Sequence, residues 1–252
     1  MPMPFASNHI SRLVQHWRES GMHGVATLIG KNLPAPFQEW RVRRLLLQHE
    51  RFDSKYGVDT QMPVALADLE TNAPGARFAN RYQGTPIAFL HRLIRRLEIN
   101  RERFTFIDLG SGKGRVLLIA GQYPFKAVIG VEFSKTLHDI ALRNIGKFRS
   151  AGASRTDLTS INMDAEEFDF SRFTDKLVFC YNSFGAGLMI RVLDNLEIST
   201  KGPGETVFAY LGAMPGDVEQ RLKRFPIIER AEVLTEFDTY ERYSIYRMIP
   251  QN

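Results

Sequence analysis

Along the chain, the pattern of hydrophobic and polar positions changes rhythm near residue 100. Before that point apolar side chains recur at helical spacing. In residues 10–29 they fall at 10, 13, 14, 17, 25, 28 and 29, with interruptions at Gly21 and Gly24. Residues 36–52 set Phe37, Trp40, Leu45, Leu47 and Phe52 among Arg41, Arg43, Arg44 and Arg51, which predicts an amphipathic helix with Pro36 near its first turn. Residues 53–84 are rich in Gly, Pro, Asp and Asn and predict a long connection of a functional or mobile kind. A helix then begins with Thr85 as its expected N-cap and Pro86 at its first position. Ile87, Leu90, Leu93, Ile94 and Leu97 share one face of it, with Arg92, Arg95 and Arg96 off that face.

From residue 103 the pattern alternates. Short apolar runs at 104–109, 127–132, 158–163, 176–181 and 205–211 predict strands. Helical patterns at 113–123, 134–150, 188–198 and 215–225 separate or follow them, with Ser134 as an N-cap. Two last strand-like runs, 227–235 and 240–249, are joined too closely for a helical crossover and must be antiparallel. Such alternation predicts an α/β fold: a mostly parallel sheet with helices on both faces and a reversed last strand. The change of rhythm suggests a helical N-terminal extension or lid over 1–84 and a ligand-binding domain over 85–252.

Composition narrows the class. The chain has 252 residues, 44% hydrophobic and 24% charged, a globular balance that excludes disorder or a coiled coil for its bulk. A single cysteine, Cys180, excludes an internal disulfide and argues against a cysteine metal cluster, so a reducing cytoplasm is the expected compartment. The six histidines make no HxH or HxxxH pair, and no metal is expected. The opening residues lack an unbroken apolar stretch, and no apolar run approaches the ~20 residues of a bilayer span, so a soluble protein is expected. The net charge of +5 sits wholly in the first 100 residues, which hold 13 Lys/Arg against 8 Asp/Glu; the remainder holds 20 against 20. That excess reads either as a solvated helical face or as a surface for an acidic partner.

The chemistry concentrates in Asp108-Leu109-Gly110-Ser111-Gly112-Lys113-Gly114-Arg115, which follows a strand and opens a helix. Ligands of open α/β sheets bind outside the carboxyl ends of such strands, and glycines there let backbone approach ligand. The dinucleotide fingerprint GxGxxG requires glycine where Arg115 stands, and the GKS/GKT ending of a phosphate loop is missing. Asp108 would repel a pyrophosphate and welcome an amino group. The second strand ends at Glu132, 22 residues after Gly110, where an acidic side chain can accept from both hydroxyls of a ribose.

This stretch resembles the class I S-adenosylmethionine-dependent methyltransferases, and the resemblance extends over roughly residues 85–250. It implies S-adenosylmethionine as cofactor and a seven-stranded sheet with a reversed last strand. It also implies that Gly110, Ser111, Gly112 and Gly114 approach the methionine end of the cofactor. Asn162-Met163-Asp164-Ala165 looks like the family's adenine-binding step, with Asp164 accepting from the adenine amino group and a backbone amide near Ala165 serving a ring nitrogen. The fourth strand leads into Asn182-Ser183-Phe184-Gly185, at the position that faces the reacting methyl group in the family. Amino-group methyltransferases often carry Asn/Asp-Pro-Pro-aromatic there; this chain has Asn182 and Phe184 without the prolines. The Asn-x-Phe spacing and the wider frame resemble histone-lysine methyltransferases of the Dot1 type, although nucleosome-binding elements are not recognisable. The stretch from Phe52 to Asp59, with Tyr82 to Pro86, resembles bacterial members of this fold without an assigned substrate.

The expected activity is methyl transfer, with an amine nitrogen of a protein or small molecule favoured as acceptor and RNA open. Asn182 would hold the attacking N–H, Phe184 would offer a π-face to the sulfonium, and Tyr82 would fold over the cofactor. Asn182 has a competing reading as the cap of the following helix. Two other functions remain alternatives: a binding protein on this fold that has lost catalysis, and an NAD(P)-dependent oxidoreductase. Oligomeric state is left open by the sequence.

Overall fold

The computed structural model describes residues 35–61, 84–234 and 240–249. Helix α1 spans Ala35–Tyr56 and helix α2 spans Ile87–Arg96. Then follow β1 (Phe104–Leu109), α3 (Arg115–Ala120), β2 (Ala127–Glu132), α4 (Lys135–Ser150) and β3 (Leu158–Asn162). The chain continues through β4 (Asp175–Tyr181), α5 (Ala186–Ser199), β5 (Thr206–Leu211) and α6 (Gly216–Leu222). Strands β6 (Ile227–Leu234) and β7 (Tyr240–Met248) complete the order.

The seven strands form one sheet in the order β3-β2-β1-β4-β5-β7-β6. Pairs β3-β2, β2-β1, β1-β4 and β4-β5 are parallel, whereas β7 runs antiparallel to both β5 and β6. The closing hairpin therefore tucks its second arm between β5 and β6, leaving one reversed strand in a sheet otherwise of one sense. The order reverses between β1 and β4, which places a crevice at their carboxyl ends.

Strands β1, β4 and β5 are buried at every position, as expected for strands covered on both faces. Two apolar clusters form those faces. One joins α2, α3 and α4 to the sheet and takes in Phe52 and Val58; the other joins α5 and α6 to the opposite face.

Several boundaries differ from the sequence-based expectation. The second helix has Pro86, not Thr85, at its N-cap, and no side chain caps it; the Leu90 amide bonds the Pro86 carbonyl instead. The helix after the glycine loop is shorter than residues 113–123, because Gly112 and Gly114 both take left-handed backbone that no helix accepts. The helix expected over 36–52 runs on to Tyr56, and residues 57–61 form a short strap rather than the start of an open connection. The helix expected over 10–29 lies outside the described residues.

That strap is held locally by Asp53. Its carboxylate accepts from the Thr60 amide (2.7 Å), the Thr60 hydroxyl (2.5 Å) and the Gln61 amide (3.0 Å). Helix α1 is held by aromatic packing: Phe148 of α4 meets Tyr56 at 4.7 Å edge-on and Phe52 at 6.3 Å stacked. Replacing Phe148, which is fully buried, by alanine should cost about 3–5 kcal/mol. Urea unfolding of Phe148→Ala against the parent checks this, with loss of the α1 contacts expected as a shallower denaturant dependence.

Candidate functional site

The site is built where β1, β2, β3 and β4 end. The Gly110 and Ser111 amides both reach the Val131 carbonyl, at 2.9 and 3.1 Å, which lays the glycine loop across the end of β2. Gly110, Gly112 and Gly114 have φ of +74°, +53° and +84°, a region that costs other residues dearly. Gly110 has a second constraint, since a Cβ there would lie 2.5 Å from the Ser183 side chain. The Ser183 hydroxyl bonds the Leu109 carbonyl at 2.9 Å, so the loops after β1 and β4 are pressed together.

Glu132 closes the other side. One carboxylate oxygen accepts from the Gly112 amide at 2.8 Å and the other from the Ser134 amide at 2.9 Å. Asn162 Nδ2 donates to the Glu132 and Phe133 carbonyls, both at 2.9 Å, which ties the end of β2 to that of β3. Each carboxylate oxygen retains acceptor capacity beyond its amide bond.

Asp108 and Glu132 are both buried. Burial pushes Glu132 up to about 7, against the opposing pull of the Ser134 and Gly112 amides. Burial, with the Glu132 carboxylate as a further cause, holds Asp108 well above the usual carboxylate range. Two carboxyls that ionise reluctantly in a crevice suit a ligand that brings hydrogen-bond donors and positive charge.

Asp164 caps the turn after β3 through the Glu166 amide at 3.3 Å. Its second oxygen and the Ser111 hydroxyl are buried with no hydrogen-bond partner among the described residues. Buried polar atoms are rarely left so, and these two fit a ligand that supplies the missing donors and acceptors. Val131, Phe133, Met163, Ala165, Phe184 and Leu188 surround Asp164 and Gly110 as the apolar walls of a small pocket.

Asn182 stands directly after β4, half-buried, and is the one described non-glycine residue in left-handed backbone, at φ +44°. Gly185, three residues on, occupies the N-cap of α5. Phe184 is buried against the pocket. Cys180 is fully buried within β4, and burial pushes its thiol up to about 12, which rules it out as a nucleophile at neutral pH. Among the described residues no cluster of His, Cys, Asp and Glu could hold a metal ion, and no helix is long and apolar enough to cross a membrane. Tyr82 lies outside the described residues.

The sequence reading missed the residues that hold the glycine loop from behind. Lys113 is buried and ion-paired with Asp59 of the strap at 2.8 Å. Arg115, also buried, donates to the Thr60 hydroxyl at 2.9 Å and the Thr60 carbonyl at 2.8 Å, and its guanidinium lies 3.2 Å from His49 Nδ1. Burial and the Arg115 charge lower His49 to about 3, so it stays neutral beside that cation. Asn144 of α4 completes the tie, donating to the Asp59 and Lys113 carbonyls and accepting from the Asp59 amide. The signal in the sequence was two cations inside a glycine loop that lacks the phosphate-loop ending, with acidic and hydroxyl residues at 59 and 60.

The raised carboxyls imply a pH dependence. A carboxyl whose folded value exceeds its ordinary value of 4.5 contributes stability that is full below 4.5 and lost as pH rises through about 7. Without ligand, the melting temperature should therefore fall between pH 5 and 8. In Glu132→Gln the fall should be smaller, a comparison that differential scanning calorimetry makes directly.

Residues 70–176 match the model of the family described as histone methylation protein DOT1, a stretch that carries the glycine loop, Glu132 and Asp164 and stops before Asn182. No curated protein matches the chain by sequence. An RNA methyltransferase from Salinibacter ruber, in complex with S-adenosyl-L-homocysteine, superposes with a TM-score of 0.51 at 17% identity, over 68% of this chain and 96% of that one. A provisionally assigned RNA methyltransferase from Pyrococcus horikoshii gives 0.51 at 20% identity, over 73% and 95%. A provisionally assigned methyltransferase from Escherichia coli gives 0.50 at 17%, over 73% and 92%. Residues 70–176 thus match the DOT1 family model, and the sheet with its helices has the fold of these S-adenosylmethionine-dependent methyltransferases.

Proposed function

We propose that the protein transfers a methyl group to an amine nitrogen of a protein or small molecule, with Asn182 and Phe184 lining the transfer position. The observation that carries this reading is the left-handed Asn182 at the carboxyl end of β4, next to the crevice. When bound, S-adenosylmethionine supplies an electrophilic methyl group on a sulfonium. Asp108 would hold its amino group, Glu132 its ribose diol, and Asp164 its adenine amino group, while the three left-handed glycines and Ser111 would bring backbone and hydroxyl to its methionine end. Ala165 and the neighbouring apolar side chains exclude water from the ring.

On the acceptor side, the amide of Asn182 accepts the N–H of the nucleophile and fixes its approach without taking its proton, which suits an amine that reacts in its neutral form. In-line placement of the reactants at ~3–3.5 Å is where most of the acceleration arises. Phe184 presents an aromatic wall toward the positive charge, a contact worth roughly 0.5–2 kcal/mol.

Two outcomes test this. Asn182→Ala should lower the single-turnover rate while cofactor affinity stays nearly constant, because the lost contact is to the nucleophile. A rate that is preserved, or a product methylated on oxygen or carbon, would sink the assignment. Glu132→Ala should weaken cofactor binding about ten- to a hundredfold, as expected for losing a charged acceptor worth about 1.5–3 kcal/mol. Calorimetric titration with S-adenosylhomocysteine measures it, and an unchanged affinity would remove Glu132 from the site.

A further inference from the structure

Away from the crevice, α1 and α2 enclose a groove of about 760 Å³. Arg51 and Lys55 line it from α1, and Arg92, Arg95 and Arg96 from α2; among the described residues no carboxylate lines it. Of these five, Arg96 is paired with Glu229 at 3.1 Å, beyond the groove. Arg95 donates its Nε to the Tyr123 hydroxyl at 3.2 Å, which spends a hydrogen bond and leaves the charge uncompensated. The Nε of Arg92 is buried without a hydrogen-bond partner among the described residues.

The walls add flat surfaces to the charge. Phe52 and Tyr56 line the groove from α1. The same face of α1 continues outward through Leu47 and Arg44 to Trp40, since positions 40, 44, 47, 51 and 55 recur at helical spacing. Trp40 is 57% exposed, with the Arg44 guanidinium 5.4 Å from its ring centroid. An exposed tryptophan stacked by arginine, running into a file of cations, is a surface with two complementary demands: repeated negative charge and π-faces.

We propose that this groove binds a single strand of nucleic acid. Its phosphodiesters pair with Arg51, Lys55, Arg92 and Arg95, and its bases stack on the exposed ring of Trp40. Arginine outnumbers lysine in the groove, and its planar fork matches phosphate oxygens in pairs. An acidic peptide would satisfy the charge and leave the aromatic faces without a partner, whereas every nucleotide carries both anion and ring. The basic excess of the first 100 residues thus has a local destination. The proposal does not depend on the methyl acceptor assigned above, because strand binding is measured without cofactor.

The test is fluorescence anisotropy with a fluorescein-labelled oligouridine of about twenty nucleotides, long enough to span several phosphate contacts. With four cations engaged, the logarithm of affinity should fall with the logarithm of salt with a slope of about −3. In Arg51→Glu/Lys55→Glu, binding should weaken at least tenfold and the slope should become shallower by about 1.4. S-adenosylhomocysteine titration of the same variant shows whether fold and crevice survive. If they do not, Arg95→Gln is the substitute, with an expected slope change of about 0.7. Affinity that ignores salt or is unchanged in the variant overturns the proposal. So does displacement of oligouridine by polyglutamate at equal charge, which would mark the groove as a site for acidic protein.

Discussion

Everything at the ligand end of the sheet hangs on one buried carboxylate. Glu132 stands at the end of β2 and holds the Gly112 amide with one oxygen and the Ser134 amide with the other. The first bond fixes the loop leaving β1; the second sets the start of α4. Both amides are buried, and an unmatched buried amide costs about 1–3 kcal/mol. The carboxylate itself resists ionisation there. The arrangement therefore holds an energetic conflict in the ligand-free protein: the bonds favour the anion and the surroundings disfavour it. The loop leaving β1 and the start of α4 thus depend on the protonation state of a single side chain.

A second set of contacts secures the same loop from the rear. Lys113 and Arg115 point away from the crevice to Asp59, Thr60 and His49, and Asn144 bridges the Asp59 and Lys113 backbones. The glycine loop is thus held between a carboxylate in front and a polar lattice behind. Glycines supply the backbone freedom that ligand approach requires, and the neighbouring long cations restore the rigidity that glycines give away. Cations in a glycine loop suggest a phosphate site only when they face the ligand. Here they face the protein.

Much of this was legible in the sequence, for identifiable reasons. Strand runs such as 104–109 and 127–132 are short, apolar and bounded by turns, so their period and limits were plain. The tight link between 227–235 and 240–249 dictated the reversed strand. Asp108, Glu132 and Asp164 were singled out because strand ends are fixed by pattern, and all three lie at or just beyond the carboxyl ends of β1, β2 and β3. What pattern does not encode is a contact between distant residues. The capping of α2 by Pro86 rather than Thr85, the docking of the strap on Arg115 and the pressing of Ser183 against Gly110 each depend on three-dimensional neighbours. Asn182 shows the limit well: asparagine at a strand–helix junction suggests a cap, and neither its left-handed backbone nor the glycine at the N-cap of α5 is encoded by pattern.

Cys180 has a practical meaning beyond its exclusion from chemistry. The chain holds one thiol, and it sits mid-sheet in β4, opposite Leu109 of β1 with no exposure to solvent. A reagent can reach it only when the α5–α6 layer lifts from that face of the sheet. The rate of thiol labelling in native buffer is therefore a clock for opening of that layer, insensitive to fraying of α1, which packs on the opposite face. The fold carries its own single-site reporter, read with no engineered probe.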